Sequence, residues 1–374
     1  MTNVKVFLAV AGAGKTYTIC NTIDPLKRNL ILSYTHENII NITTELTKKW
    51  GNVPKKTRVM TFDYFLVSAF IRPFLNWIQR ELFGRTPERI ARVDLFPLPP
   101  VNPVDRQSLW LHSQKNFCHY FSGPANDRSL RLDTCSELPL LDNSIKNPNG
   151  LFQMALNRLN NFFDCYYIDE FQDYRQSNFD LMVKMMQNVP QGFLYGDYYQ
   201  HSVSGANNTG KPFGKSSTYD NFKKDLWKLG FVVDENSLSR TRRCAPEVCN
   251  YIRSKLQISI FPEPSMGRKG SVNACFTKEA LFAAIQNGKT QFLTLKSEPM
   301  INSITFGASK GDTFENTIVV LPNTCIMEGQ NGCKELKVPE KSVMKNKIYV
   351  ALTRATGNVY LTDLDTTKAC FSMF

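Results

Sequence analysis

The first 70 residues alternate between short apolar runs and longer mixed segments. "VKVFLAV" (Val4 to Val10), "NLILSYT" (Asn29 to Thr35) and "RVMTFDYFL" (Arg58 to Leu66) have the length and composition of buried strands. Between them, "KTYTICNTI" and "ENIINITTELTKKW" are predicted to be helical. Strands that alternate with helices are typical of a parallel sheet with crossover connections, so the pattern predicts an α/β fold.

The pattern changes between Val67 and Asn161. "FLNWIQRELFG" and "LFQMALNRLNNFF" are predicted helices, and the proline-rich "LFPLPPVNPV" separates them. Strand-like runs then resume, which indicates a helical insertion at about 67–161 in the first of two sheet domains. We place these domains at 1–230 and 231–374. The later strand-like runs are "CYYIDE", "GFLYGD", "SVNACF", "QFLTL", "TIVVL" and "NVYLTD".

Composition narrows the class of protein. The 374 residues are 42% hydrophobic and 21% charged, which suits two globular cores. A net charge of +12 favours a polyanionic partner, nucleic acid first, although a solvated basic surface explains the charge equally well. Ten scattered cysteines without a C-x-x-C pair predict reduced thiols and no zinc site. With no signal peptide or membrane-length apolar run, we expect a cytoplasmic protein without membrane contact.

A glycine-rich turn, "AGAGKT", follows the first predicted strand and opens a helix. Backbone N–H groups in such a turn point at phosphate oxygens. Lys15 is predicted to reach the β- and γ-phosphates, and the Thr16 hydroxyl to ligate Mg²⁺. The Walker A pattern places a glycine where this chain has Ala9, so the turn alone does not decide between a phosphate cradle and a flexible loop. The predicted phosphate-binding residues are Ala11, Gly12, Ala13, Gly14, Lys15 and Thr16.

A second sequence feature supports the interpretation of this turn as a phosphate-binding loop. "YYIDEFQD" places two acidic residues directly after an apolar strand. Asp169 stands where a carboxylate on the metal side belongs, and Glu170 where a base would polarise water. An isolated acidic pair is usually a solvated loop. Its position after a strand, downstream of a phosphate-binding turn, favours the catalytic interpretation here.

Together these segments resemble the motifs of UvrD-like superfamily 1 helicases. "AGAGKT", "DEFQD" and "GDYYQ" are similar to motifs I, II and III, and that family often has an alanine at the head of motif I. The resemblance extends from Leu8 to Ala355. It implies two tandem RecA-like domains with ATP, or another NTP, and Mg²⁺ in the cleft between them. Further matches are "SYTHENI" to motif Ia, "TFDYF" to the T-F-H segment, "LSRTRRCAPEV" to motif IV, "TFGASKGDTFE" to motif V and "YVALTRA" to motif VI.

The resemblance also implies roles for single residues. Gln200 matches the motif III glutamine that senses the γ-phosphate. Arg243 and Arg354 match arginines that reach across the cleft, with Arg242 a lesser candidate, and Gly311 belongs to the nucleotide-binding set. Phe62 matches a phenylalanine on which a base stacks, although an aromatic residue at a strand end is equally expected in a core. The residues matching the segment that contacts the nucleic-acid backbone are Tyr34, Thr35 and His36.

The chain also departs from this family. No Q motif precedes the first strand, so nucleobase selectivity stays open. Only Lys296 to Asn302 separates "QFLTL" from "SITFGASKG", where family helicases insert a large accessory domain. A chain without that domain has little with which to grip a duplex.

We therefore predict a nucleic-acid-stimulated NTPase that acts on single-stranded DNA or DNA ends. "TRRCAPE" also resembles nidovirus-type helicases, which keeps RNA open. "FDYFLVSAFIRPF" resembles the helicase-like subunit of the Gabija anti-phage system, whose partner is a nuclease; this suggests antiviral defence and a nuclease partner on the insertion. The alternatives are a regulatory nucleotide switch, or a nucleotide-binding module that contacts nucleic acid without unwinding it.

Overall fold

The computed structural model describes residues 3–83, 90–94, 118–120, 128–131, 135–174, 176–201, 212–213, 218–329, 333–339 and 342–371. Its strands, in chain order, are β1 (Val4–Leu8), β2 (Asn29–Ser33), β3 (Thr57–Thr61), β4 (Ile90–Asp94), β5 (Cys118–Tyr120), β6 (Arg128–Arg131), β7 (Cys165–Ile168), β8 (Gly192–Gly196), β9 (Val232–Asp234), β10 (Arg240–Thr241), β11 (Phe261–Pro262), β12 (Val272–Ala274), β13 (Thr290–Thr294), β14 (Ser303–Thr305), β15 (Asn316–Leu321), β16 (Ile326–Glu328), β17 (Lys334–Leu336) and β18 (Val359–Asp363).

Helices connect most of these strands. A π-helical segment at Leu66–Ile71 and several 3₁₀ turns supplement the α-helices. The α-helices are Lys15–Thr22, His36–Trp50, Phe62–Phe65, Leu75–Phe83, Asp142–Lys146, Leu151–Phe162, Gln176–Met186, Tyr219–Lys228, Pro246–Leu256, Lys278–Gln286, Ser342–Leu352 and Leu364–Phe371. The 3₁₀ turns are Arg72–Phe74, Leu138–Leu140, Phe171–Asp173, Tyr198–Gln200, Pro264–Met266 and Asn323–Cys325.

The first large sheet has the strand order β3-β2-β7-β8-β1-β9, and its neighbouring strands pair in parallel. Every residue of β2 and β7 is buried, as expected for strands covered by helices on both faces. The carboxyl ends of parallel strands meet at one edge, so the segments that follow β1, β2, β7 and β8 are brought together.

The second large sheet, with the order β12-β18-β15-β13-β14, is also parallel. Residues 295–302 are all that separates β13 from β14. Two parallel sheets, an insertion in the first unit and a nearly absent accessory domain in the second confirm the predicted fold class, and the arrangement is consistent with tandem RecA-like domains.

Apolar packing joins the two sheets. One hydrophobic cluster contains Ala11 and Ile19 from the segment after β1 together with Cys244, Ile348 and Leu352 from the second half of the chain. The helix Ser342–Leu352 therefore packs directly against the glycine-rich turn. This contact brings residues about 340 positions apart in the sequence into one site.

Several predicted boundaries need correction. The predicted strand from Arg58 to Leu66 ends at Thr61, because the Thr61 side chain accepts a hydrogen bond from the Tyr64 N–H at 3.3 Å and caps a short helix. β9 pairs with β1, although it lies beyond residue 230, so we propose that the first domain extends to residue 234. The predicted helical insertion also contains a small sheet, β4-β6-β5, while "LFPLPPVNPV" lies outside the described residues.

Two further features concern the environment of the chain: the apolar length of its helices and the state of its cysteines. No helix within the described ranges is long and apolar enough to span a bilayer. Nine cysteines are free thiols in the described structure, and all of these nine except Cys333 are buried.

Candidate functional site

The glycine-rich turn lies between β1 and the helix Lys15–Thr22. Gly12 and Gly14 have φ values of 72° and 86°, in the left-handed region that favours glycine. A Cβ at Gly12 would lie 2.7 Å from both the Arg243 Cβ and the Thr241 Oγ1. Gly14 precedes the helix and provides no side-chain cap. The first backbone N–H groups of the helix therefore have no side-chain acceptor at this position and suit an anion.

Lys15 follows this turn and is 8% exposed. Its Nζ lies 3.2 Å from the Glu170 Oε1. Burial by itself lowers the pKa of Lys15, but the nearby carboxylates of Glu170, Asp197 and Asp169 raise it overall. The side chain is therefore an ammonium ion at the glycine-rich turn, held beside Glu170.

Asp169 and Glu170 follow β7, as the sequence predicts. Burial and the neighbouring Glu170 raise the pKa of Asp169. Burial opposes ionisation of Glu170 as well, but Lys15 and Lys310 lower its pKa overall. The Asp169 Oδ1 is buried and has no hydrogen-bond partner in the described structure. An unpartnered carboxylate oxygen is a donor that Mg²⁺ favours, although Asp169 does not line the cavity that contains Thr16 in this conformation.

A cavity of about 350 Å³ collects most of the predicted nucleotide-binding residues. It is lined by both halves of the chain, so it lies between the two sheet units. The predicted residues on its wall are Gly12, Ala13, Gly14, Lys15, Thr16, Glu170, Gln200, Arg243, Gly311 and Arg354.

Arg354 enters this cavity from the second unit and is 1% exposed. Its Nε donates to the Val350 carbonyl at 3.0 Å and its Nη1 donates to the Ser309 carbonyl at 3.4 Å. Burial and the adjacent Arg243 lower its pKa to about 9. Among the described residues Arg354 has no carboxylate within ion-pair distance.

Arg243 lies beside it, and its Nη1 donates to the Thr353 carbonyl at 3.1 Å. Burial lowers the pKa of Arg243 as well. Two adjacent guanidinium groups, one buried and one half-buried, without a carboxylate partner in the described structure are energetically unfavourable alone, and an anion in the cavity would relieve this. Arg242 lies further out, with its guanidinium 4.9 Å from the centre of the Tyr17 ring.

A buried hydrogen-bond network connects the two halves behind the cavity. The Gln200 Nε2 donates to the Asp197 Oδ2 at 2.7 Å, and the Tyr349 Oη donates to the same oxygen at 3.2 Å. The Ala11 N–H donates to the Tyr349 Oη at 2.9 Å. The Ala11 N–H is therefore engaged by Tyr349 in this conformation, and its contact with phosphate stays a prediction. Sequence reasoning missed Tyr349, whose only signal is its place in "YVALTRA".

Tyr349→Phe is expected to lower turnover about 10-fold or more, while NTP affinity changes little. The substitution removes one hydroxyl and leaves the buried Ala11 N–H without its acceptor, a loss of about 1–3 kcal/mol. The measurement is kcat and KM for NTP hydrolysis together with the Tm. Tyr360→Phe is the matched control, since the Tyr360 hydroxyl accepts from Asn287 at 2.6 Å, away from the cavity. A lower Tm with unchanged kcat would reduce Tyr349 to a stabilising contact.

The residues predicted to contact nucleic acid separate into two groups. Tyr34 is 44% exposed and His36 is exposed, both just after β2. Thr35 caps the helix His36–Trp50 by accepting from the Asn38 N–H at 3.2 Å. Phe62, by contrast, is 1% exposed and packs edge-on against Tyr174 with ring centres 4.8 Å apart. A base cannot stack on Phe62 here, because the helix after β3 turns the ring into the core.

Comparison with known proteins gives structural matches alone. No family model matches the chain, and no curated protein matches its sequence. It is similar to arterivirus nonstructural protein 10, a helicase, in complex with DNA (16% identity, TM-score 0.45) and by itself (15%, 0.43), over 99% and 98% of this chain. It is also similar to the PRRSV helicase (15%, 0.43, over 99% of this chain). The chain spans 63%, 61% and 54% of those proteins, respectively. With TM-scores below 0.5, the fold rests on the sheet topology above.

Proposed function

We propose that the chain is a nucleic-acid-stimulated NTPase of the superfamily 1 helicase class, with ATP as the simplest substrate. The observation that carries the proposal is the cavity between the two units. Lys15 and Glu170 line one wall, and Arg243 and Arg354 line the other. An ammonium ion, an ionised carboxylate and two guanidinium groups around one space match the needs of phosphoryl transfer, which depends mainly on positioning and charge neutralisation.

The Lys15–Glu170 ion pair suggests how binding prepares the base. A triphosphate on the glycine-rich turn would compete with Glu170 for the Lys15 ammonium group. Since Lys15 is a main cause of the lowered pKa of Glu170, its withdrawal would raise that pKa. Glu170 then becomes a better acceptor for the proton of an attacking water. Gln200, held by Asp197, would orient the same water or the terminal phosphate.

Thr16 and Asp169 would hold Mg²⁺, since the Asp169 Oδ1 lacks another partner in the described structure. When bound, the ion neutralises negative charge on the phosphate oxygens. Arg243 and Arg354 belong to the second unit, so their approach to phosphate would depend on how the two units close. That dependence is the physical basis for coupling hydrolysis to the binding of a nucleic-acid strand across both units.

Tyr34 is the residue on which we expect a base to stack. Tyr34→Ala should weaken single-strand binding by about 1–3 kcal/mol and leave the Tm nearly unchanged. Phe62→Ala is the contrasting variant: removing a buried ring should destabilise the fold by about 3–5 kcal/mol. Strand affinity by fluorescence anisotropy and Tm by calorimetry separate these outcomes. A large loss of affinity in folded Phe62→Ala, with normal binding by Tyr34→Ala, would reverse the assignment.

The short connection between β13 and β14 favours action within a complex. Only residues 295–302 lie there, so the second unit adds no sizeable domain to grip a duplex. We propose that the isolated chain hydrolyses NTP without processive unwinding and works with a partner, for which a nuclease remains our candidate. The proposed contact on the insertion at 67–161 lies partly outside the described residues, which include 67–83 and 135–161 of that segment.

The experiment that tests this proposal is phosphate release with a panel of polymers. Single-stranded DNA, single-stranded RNA and blunt duplex DNA are compared at equal nucleotide concentration. We expect a single strand to raise turnover, and the better of DNA and RNA identifies the substrate class. Nucleotide binding without hydrolysis under any of these conditions would favour the nucleotide-binding module instead.

A further inference from the structure

A second cavity, of about 370 Å³, lies away from the nucleotide site. Its floor is apolar and includes Leu30, Met60, Phe65 and Leu159. It lies against β3 and β2, at one edge of the first sheet. The glycine-rich turn follows β1, which is three strands away from β2 in the sheet. We call this second cavity the edge groove. No residue lines both cavities, so the edge groove is a separate feature.

The rim of the edge groove is strongly cationic. Lys55 and Lys56 immediately precede β3, Arg58 lies within β3, and Arg158 lies near the end of the helix Leu151–Phe162; all four are exposed. Arg58 is directly opposite Leu30 in the strand register, so its side chain leaves the sheet on the face that carries the floor. None of these four cations has a carboxylate within ion-pair distance in the described part of the chain.

A fifth cation at the groove, Arg28, differs from these four because it forms an ion pair with a carboxylate. Arg28 lies at the start of β2, and its Nη2 is 2.5 Å from the Asp164 Oδ1. Hydrogen bonds from Arg28 lower the pKa of Asp164 to about 2. Asp164 is therefore used locally by Arg28. Among the described residues no carboxylate lines the edge groove itself, so the remaining positive charge is available to an external anion.

An exposed aromatic ring completes the surface. Phe162 lines the edge groove and is 54% exposed, and the Arg158 guanidinium lies 5.1 Å from the centre of its ring. Phe163 also lines the groove and is half-buried. A flat apolar face beside several unpaired cations is the combination that holds single-stranded nucleic acid, since bases stack on the ring while phosphates pair with the cations.

We propose that the edge groove is a second contact site for a single strand of nucleic acid. Lys55, Lys56 and Arg58 bind its phosphates, and Phe162 stacks with a base. This rests on the proposed function only in taking nucleic acid as the partner. An acidic protein segment would also satisfy the charge. Nucleic acid is favoured because Tyr34 directly follows the carboxyl end of β2, so a single nucleic-acid strand can run from Tyr34 along β2 to the edge groove. This path is roughly 16 Å, the length of a five-residue β-strand.

The test uses the whole chain and a labelled single strand in a salt series, followed by fluorescence anisotropy. Lys55→Gln combined with Arg58→Gln should weaken binding about 10-fold at low salt. It should also flatten the slope of log affinity against log salt by about 1.4 for two lost phosphate contacts. Phe162→Ala should weaken binding with an unchanged slope, because stacking releases no counterions. Lys224→Gln, an exposed position on the helix Tyr219–Lys228, is the matched control and should bind as the wild type does.

Three results would overturn this proposal alone, and a fourth would overturn the proposed function as well. If the Lys55→Gln/Arg58→Gln variant and the Phe162→Ala variant both fold and bind the single strand normally, the edge groove is not a contact site, and the proposed function is unaffected. Aggregation of the double variant, with normal binding by Phe162→Ala, would show that the cations protect a sheet edge instead. If the cation substitutions weaken the binding of polyglutamate but leave the binding of the single strand unchanged, the occupant is an acidic protein segment. A wild-type chain that binds no strand at all would reject the proposed function as well.

Discussion

Glu170→Gln is expected to bind NTP as well as the wild type or better, and to lose turnover by about 10²- to 10⁴-fold. The amide has nearly the same shape as the carboxylate but cannot accept a proton from water. Because Glu170 lies 3.2 Å from the Lys15 Nζ, neutralising it also frees the ammonium group for phosphate. Asp169 is untouched, so the proposed Mg²⁺ ligands remain.

Phosphate release and binding of a fluorescent NTP analogue separate these two effects. Glu45→Gln is the matched control, since Glu45 pairs with Lys48 on the surface of the helix His36–Trp50. The control should behave as the wild type in both assays. Turnover of Glu170→Gln within a few-fold of the wild type would remove Glu170 from the role of base.

Arg354→Ala is expected to lower turnover by about 10³-fold or more, with a much smaller change in NTP affinity. The side chain is buried, held by the Val350 and Ser309 carbonyls and without a carboxylate partner in the described structure. Such an arrangement provides a positioned positive charge, and its stabilisation is greatest when negative charge develops in the transition state.

Truncation of a buried side chain also leaves a cavity, so the fold has to be checked. Arg354→Gln retains most of the volume and removes the charge, and it should lose turnover nearly as severely as Arg354→Ala with a smaller change in Tm. Arg268→Ala lies on the same cavity wall but is half-exposed and serves as the comparison. Parallel losses of affinity, turnover and Tm in both Arg354 variants would indicate a structural role.

The sequence was sufficient for the parts of the fold that local pattern determines. β2 and β7 are rich in apolar and aromatic residues and are buried along their whole length, as expected inside a sheet that is covered on both faces. The acidic pair after β7 and the glycine-rich turn after β1 then follow from the rule that carboxyl ends of parallel strands meet at one edge. The same rule predicts that Lys15 and Glu170 lie at one edge of the sheet, and the structure places them 3.2 Å apart.

Long-range contacts were beyond that reasoning. Nothing local to Ala11 indicates that its N–H bonds to the Tyr349 hydroxyl, because that contact depends on how two separately folded units dock. For Phe62 the sequence left a stacking position and a core position equally open. The structure favours the core, because β3 ends at Thr61 and Phe62 lies in the short helix that follows. The edge groove also escaped notice, since its cations come from segments a hundred residues apart.

The central claim is that this chain couples NTP hydrolysis at its inter-unit cavity to the binding of a single strand. The direct measurement is steady-state phosphate release by the wild type, Lys15→Ala, Glu170→Gln and Arg354→Gln, with and without saturating single strand. Strand binding is measured in the same samples. We predict strand-stimulated release by the wild type, and strand binding without stimulated release by Glu170→Gln and Arg354→Gln. Wild-type release that no strand changes, or stimulated release that survives in both of these variants, would contradict the account.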